Sequence, residues 1–599
     1  MRELYLVFPE RMCYPLNTCL HVIKKRQQER REHYMKVKAG TILRITAIAA
    51  GMIALCGMSD FRGIKVQAQS AKVLRRIEVT RGNGESKRVK LWTIPHNESN
   101  IYTNAYRRRA ETTVKGLKNK KKYTLGKPLV IQNPYGTFST SVYFYAKAKQ
   151  ACYASYTVKA GGTETVTRDL KNDRKYSKKQ EYLLTGLVAG KKNNITMRFY
   201  NRAGKQIRKI QFTVGIKKDK EIPAIESIEN GNSAAELSEG VYAIIGHDRQ
   251  INSNVYFFDN EGVNRGKIPL NNYRADRLVT VNGKLIYPYA PRKFAVLNRL
   301  GKIVKKIDLG KYKMHHDFMY DENTNSLLVL ATDTGKDTIE DVIISVNLKT
   351  GKKKLVVDWE KLMPDIRKMA VWNKETDINT YGTNDLDWIH LNSLDLVSAD
   401  EMVVSSRELS TIIKISGLHS EPKVDYIIHG GNLFDNTVYQ SKQLSKIGDF
   451  QAQSGQHTIT VEQSDELEKG QYYLYMYNNN FAFSYTLPFY NWKQFYPEAA
   501  NFLKEVNRHS YYFKYLVDER KGTYELVQSI ELPYSKLISG VQHYKGNVTF
   551  GSGFDHTYGE YDKNGTLIRM FRYKAEKYAY RVTKYNFRGF FYRKKNWNL

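Results

Sequence analysis

The run Ala295 to Leu309 (Ala-Val-Leu-Asn-Arg-Leu-Gly-Lys-Ile-Val-Lys-Lys-Ile-Asp-Leu) decides the fold. It holds two short β-rich segments either side of a polar turn closed by Gly301, the signature of a tight β-hairpin. The pattern recurs. Val255 to Leu270 carries it around Asp259-Asn260-Glu261-Gly262, Ile343 to Val357 around Thr350-Gly351, and Tyr561 to Phe571 around Asn564-Gly565. Repeated polar-Gly hairpins are the unit of propeller blades. Their spacing is irregular and longer than a forty-residue repeat, so length sets the blade number, and residues 223–599 fit six. A large sandwich or a β-helix is the competing architecture.

Upstream, residues 69–222 alternate short β-rich runs with Gly, Asn and Lys turns. Thr137 to Lys147, Cys152 to Val158 and Asn194 to Tyr200 predict separate strands of a smaller β-sandwich-like domain. Lys217 to Ile222, ending at Pro223, reads as the linker between the two. Residues 1–68 read as an N-terminal extension and signal peptide. Ile45 to Met58 is mostly apolar, with Lys36, Lys38 and Arg44 before it and Val66-Gln67-Ala68 after it as a small-x-small cut site. Met35 would start a signal of ordinary length. The run is short for a membrane span, and Leu55 is bulky for a lipobox ahead of Cys56. The protein is therefore expected to be exported, to the periplasm or beyond the cell.

Of 599 residues, 41% are hydrophobic, 12% aromatic and 26% charged, which excludes a disordered chain, and no glycine period or heptad supports a collagen or coiled coil. The formal charge is +35, and +28 without residues 1–68, which favours an anionic envelope, nucleic acid or anionic substrate without choosing among them. Beyond residue 68 only Cys152 remains, so packing and not an internal disulfide must stabilise the chain.

Histidines make the choice. His315-His316-Asp317, Trp388-Ile389-His390-Leu391-Asn392 and Gln456-His457-Thr458 each open a β run that a turn and a second β run follow. His316, His390 and His457 lie 74 and 67 residues apart, the scale of a blade. If each segment is the innermost strand of its blade, three imidazoles converge on the axis. Arg407, ending the partner strand of His390, reaches the same mouth, with no carboxylate cluster beside it. Three neutral imidazoles suit zinc or copper. An added guanidinium repels a metal and instead binds a tetrahedral oxyanion, so no metal is expected. One imidazole could attack a sulfuryl or phosphoryl centre and carry the group. Strand alternation would send His315 and His316 to opposite faces, leaving one at the site.

In order, His315-His316-Asp317, Asp387 to Ser393, Ser405-Ser406-Arg407 with Ser410-Thr411-Ile412, and Gln456-His457-Thr458 resemble the bacterial aryl-sulfate sulfotransferases that use no nucleotide sulfate donor. Asn133-Pro134-Tyr135-Gly136 extends the likeness into the N-terminal domain. The resemblance implies a six-bladed β-propeller with a smaller N-terminal β domain, exported and often dimeric, without a cofactor. It implies transfer of a sulfuryl group from a phenolic sulfate to an acceptor phenol through a sulfohistidine. His457 would be the nucleophile; His316, His390 and Arg407 would bind sulfuryl oxygens; Asn392 would be a further donor, and His315 the alternative to His316. Some relatives hold the loop before the nucleophile with a disulfide, whereas residues 408–456 here lack Cys. His429 in that loop is a second candidate imidazole, and Tyr472, Tyr473, Tyr475 and Tyr477 are candidates to stack a phenol. The rival functions are a metal-dependent propeller hydrolase and a non-enzymatic basic propeller on the cell envelope. Nucleic acid is not an expected partner.

Overall fold

A computed structural model describes residues 71–594, apart from 173–175, 248–253, 272, 380, 502–507 and 576–577. The extension and signal expected over residues 1–68 lie outside the described residues. Gln69–Leu599 form one compact unit, and among the described residues no helix is long and apolar enough to cross a membrane.

The described residues fold into six blades, each of four antiparallel strands with a fifth added in blades 5 and 6, and an eight-stranded N-terminal sheet. The hairpin turns form as their side chains dictate. Asp259 Oδ1 accepts from the amides of Glu261 and Val263 at 3.0 and 2.9 Å, and Asn298 Oδ1 from those of Leu300 and Lys302 at 3.0 and 3.1 Å. Gly262 and Gly301 close these turns at φ 69° and 75°, a region that a side chain makes costly.

Both ends of the propeller chain close the ring. The late strand Ala579–Tyr585 is the innermost strand of blade 1, pairing with Val241–His247. The early strand Ile225–Asn230 is the outermost of blade 6, pairing with Leu567–Tyr573. The inner strands of blades 3, 4 and 5 are Tyr312–Asp321, Leu391–Ser398 and His457–Glu462. The cysteine-free loop ahead of His457 is stitched in as sheet, because Ser445–Ile447 pairs in parallel with Thr523–Leu532 on the outside of blade 5. Gln453 anchors its end, donating to the carbonyls of Ser410 and Ile428 at 3.2 and 3.1 Å.

The N-terminal domain departs from the expected strands in two places. Thr137 to Lys147 and Cys152 to Val158 belong largely to one nineteen-residue strand, Val142–Ala160. A register shift between Lys147 and Cys152 lets its first half pair with Ser177–Leu184 and its second with Lys192–Tyr200. A sixteen-residue helix, Asn104–Asn119, covers the sheet. Thr103 caps it by accepting from the Tyr106 amide, and Tyr106, Ala110, Val114 and Leu117 form its buried stripe. One apolar core runs from this domain into blades 1 and 2, with Phe138 wedged among Phe257, Phe587 and Phe591.

Candidate active site

Each of the three inner strands has a bulge at or beside its histidine. The ladder jumps between Met314 and Phe318 in blade 3, between Leu391 and Ser393 in blade 4, and between His457 and Thr460 in blade 5. At or beside each jump a residue takes left-handed backbone: His316 at φ 53°, His390 at 46° and Thr458 at 56°. Such a residue costs about 1–3 kcal/mol and persists where the surroundings impose it, most often at functional sites. Bulges re-aim side chains off the pleat, and here they gather imidazoles at the axis. His316, His390 and His457 are all buried, and the His316 and His390 rings lie 4.7 Å apart.

The same bulge overturns the strand alternation expected of His315 and His316. Both face Glu340: His316 Nε2 stands 3.1 Å from one carboxylate oxygen and His315 Nδ1 3.9 Å from the other. Arg274 and the Tyr580 hydroxyl hold the far nitrogen of His316 at 2.7 and 3.1 Å. Burial, and then Arg274, push the His316 imidazole well below its usual range against the pull of Glu340.

The expectation of a site without carboxylates is thereby corrected. Glu340 arrives from the loop between the second and third strands of blade 3, at φ 60°, and Asp387 from three residues ahead of His390. His390 Nδ1 lies 2.5 Å from Asp387 and 2.9 Å from Glu340. Burial and Arg407 oppose charge on His390, yet the two carboxylates outweigh them and raise it to about 9. At neutral pH it is an imidazolium, and its Nε2 has no hydrogen-bond partner among the described residues. Arg407 is tethered by one nitrogen, 2.9 Å from Glu408 and 3.7 Å from Asp387, while its Nε is buried without a hydrogen-bond partner. Glu408 is itself fixed by Ser484 Oγ at 2.7 Å and the Thr486 amide at 3.0 Å. Tyr381 and Tyr485, both partly exposed, flank the cluster: Tyr381 lies parallel to His390 at 6.5 Å, and Arg407 sits 5.9 Å over the Tyr485 ring.

His457 has a fixed tautomer. Asn479 donates through its amide nitrogen to the carbonyls of Ser535 and Ile538, at 2.7 and 2.9 Å. Its oxygen must therefore face His457, and His457 Nδ1 donates to it at 2.7 Å and to the Gly455 carbonyl at 3.0 Å. The proton sits on Nδ1 and the lone pair on Nε2, which bonds to nothing among the described residues. Burial lowers the ring to about 3, and the charges of His390, Arg407 and Arg581 add to that. It is neutral at any physiological pH. Asn479→Leu is expected to slow turnover about ten- to a hundredfold, the usual cost of losing a group that orients a functional imidazole, with little change in KM. An equal loss appearing only as a raised KM would remove Asn479 from this role.

The remaining candidates sit elsewhere. Asn392 is fully buried, and its amide donates to the Gln456 carbonyl at 2.7 Å, just ahead of the strand that His457 opens. His429 packs between blades 4 and 5, its nitrogens 3.1 Å from Thr411 Oγ1 and 3.0 Å from the Tyr490 hydroxyl. Tyr472, Tyr475 and Tyr477 are buried between blades, and Tyr473 lies under Lys514. Sequence reasoning missed Glu340 and Asn479 and gave Asp387 no role, although Asn478-Asn479-Asn480 at a strand end is an unusual run. His315, His316 and Glu340, or Glu340, Asp387 and His390, bring donor atoms within 4.8 Å of one another. His316 is hydrogen-bonded to Glu340 and Arg274, and His390 to Asp387, as one ionic network, whereas neither ring nitrogen of His315 has a hydrogen-bond partner among the described residues.

Residues 226–593 match the arylsulfotransferase (ASST) family, and residues 129–217 its arylsulfotransferase Ig-like domain. The chain belongs to the arylsulfotransferase family. It is a sulfotransferase of aryl sulfate donors and phenol acceptors, a six-bladed all-β propeller behind an Ig-like domain. No curated protein matches the chain. Among solved structures it is similar to a candidate 6-phosphogluconolactonase from Bacteroides fragilis, at 10% identity and TM-score 0.32, over 73% of this chain and 99% of that one. A second, from Bacteroides uniformis, matches at 10% identity and TM-score 0.32, over 72% and 99%.

Proposed function

We propose that the protein transfers a sulfuryl group between phenols through a sulfohistidine at His457, without a nucleotide donor. The observation that carries this reading is the Nδ1–H tautomer, which leaves a neutral Nε2 lone pair open beside the cations of His390 and Arg407. In the first half-reaction Nε2 attacks sulfur, the N–S bond forms and the S–O(aryl) bond breaks. The electron pair leaves on the phenol oxygen, which takes a proton from the His390 imidazolium. A second phenol then gives its proton to the neutral His390 and attacks sulfur, and the N–S electron pair returns to His457. Arg407, with its unpartnered Nε, holds the sulfuryl oxygens, where charge builds up in the transition state. His316, expected to share that task, has both nitrogens engaged by Arg274, Tyr580 and Glu340 and instead holds the network in place. Tyr381 and Tyr485 offer faces to the phenol rings. Export, expected from residues 35–68, and a homodimer, implied by the family, belong to the same reading.

An acid near 9 is well matched to a phenol near 10. The rate is therefore expected to hold across neutral pH and to fall as pH rises through about 9, where His390 loses its proton. His390→Gln should remove that alkaline limb and make the rate more sensitive to the acidity of the leaving phenol. An unchanged limb in the variant would take the proton transfer away from His390. To test the reading as a whole, turnover of an aryl sulfate is measured without nucleotide, with chelator, with and without added phenol. Phenol-dependent turnover in chelator supports it, and turnover lost to chelator would instead make the Glu340 group a metal centre.

A further inference from the structure

The positive charge of this chain is concentrated in one domain. Residues 71–222 carry 35 Lys and Arg against 10 Asp and Glu, whereas residues 223–599 carry 48 against 45. The propeller that bears the histidine site is nearly neutral, so the sulfuryl chemistry does not account for the excess.

Within the N-terminal domain, ahead of the residues that match the Ig-like family, that charge lines a groove. Helix Asn104–Asn119 lies over the hairpin of Lys72–Arg81 and Ser86–Thr93, and between them opens a cleft of about 660 Å³. Arg76, Arg88, Lys90, Lys120, Lys121 and Lys127 line it, all exposed, with no acidic residue among the lining. Of the six, Arg88 alone has an ion pair among the described residues, to Glu78 at 3.4 Å. Two features of the cleft work against stability. Arg76 stands directly opposite Lys90 in the strand register, and like charges so placed repel. Gly116 is inside the helix, where glycine costs about 1 kcal/mol relative to alanine, and nothing lies within 4 Å of where its Cβ would be. Both keep the cleft cationic and open. Trp92 lines it too, with Lys90 5.4 Å over its ring.

We propose that this groove binds a linear acidic polysaccharide, tethering the sulfotransferase to an anionic glycan. Ammonium and guanidinium groups along the cleft pair with successive carboxylate or sulfate groups, and Trp92 gives a sugar ring an apolar face. A lipid surface fits less well. The exposed large apolar side chains described in this domain are Val73 and Leu74, and the half-buried rings of Trp92 and Tyr123 line the groove wall. The inference is independent of the route of sulfuryl transfer.

The test measures binding of the protein to dextran sulfate and polygalacturonate, with neutral dextran, phosphatidylglycerol vesicles and a single-stranded oligonucleotide as comparisons, near 0.1 M salt, where surface charges farther apart than about 10 Å are screened. Both acidic glycans should bind and dextran should not. Arg76→Gln with Lys90→Gln and Lys121→Gln should weaken glycan binding at least tenfold. The slope of log K against log salt should fall by about 2, since each lost contact to a flexible polyanion contributes about 0.7. Gly116→Phe, which fills the cleft and leaves its charge intact, should weaken binding as well. Arg202→Gln with Lys205→Gln and Arg208→Gln, outside the groove, should change it less than twofold. Three results would overturn the proposal: an equal loss in that last variant, tighter groove-dependent binding of vesicles or oligonucleotide, or no glycan binding at all.

Discussion

Replacing His457 by Ala is expected to lower sulfuryl transfer by about four orders of magnitude or more, the scale seen when a covalent nucleophile is removed. The loss should fall on kcat. The two cations of the site, His390 and Arg407, stay where Asp387, Glu340 and Glu408 hold them. Donor affinity should therefore change much less than turnover. The fold should also survive, because the strand after His457 is anchored independently: Ser393 Oγ accepts the Ile459 amide at 2.9 Å and Asp395 that of Val461 at 2.9 Å. A variant that folds and retains more than about a hundredth of wild-type turnover would be incompatible with His457 as the nucleophile.

The second large effect is at Arg407. Arg407→Lys keeps a charge but loses the planar fork and the unpartnered Nε, and is expected to cost about 10²- to 10³-fold in kcat, the range for removing one donor to a developing oxyanion. Arg407→Ala should do worse in two ways. It removes the cation and leaves Glu408, wholly buried, without its ion pair. Breaking a buried pair on one side costs about 3–5 kcal/mol, so thermal unfolding should shift downwards in the Ala variant and much less in the Lys variant. Equal kcat in Arg407→Lys and wild type would mean that charge alone, not donor geometry, acts there.

What could be read in advance follows from what is local in sequence. The Asp- or Asn-led turns closed by glycine are four-residue signals, and they mark the blade hairpins without reference to strand pairing. The histidine segments are local too: His390 and His457 introduce their inner strands, while His315 and His316 fall inside Tyr312–Asp321 and not at its start. Helix Asn104–Asn119 carries a legible stripe, Tyr106, Ala110, Val114 and Leu117, behind a Thr cap, but it stands alone among strand-like segments that mask its period. The ionic half of the site was not legible. Glu340 comes from a loop 24 residues after His316, and only the closed ring and a left-handed backbone turn it inwards. Asn479 sits 22 residues past His457, and its role depends on carbonyls of Ser535 and Ile538 in the connection to the next blade. The fate of His315 and His316 likewise depended on a bulge that alternation cannot foresee.

The most direct test is to incubate the protein with an aryl sulfate and no acceptor, quench at alkaline pH and map the digest by mass. Transfer through His457 predicts one peptide, the one containing His457, heavier by a single SO3 group. The adduct should disappear when phenol is added and be absent from the His457→Ala protein. An adduct on another residue, or steady phenol-dependent turnover with no adduct formed under single-turnover conditions, would contradict it.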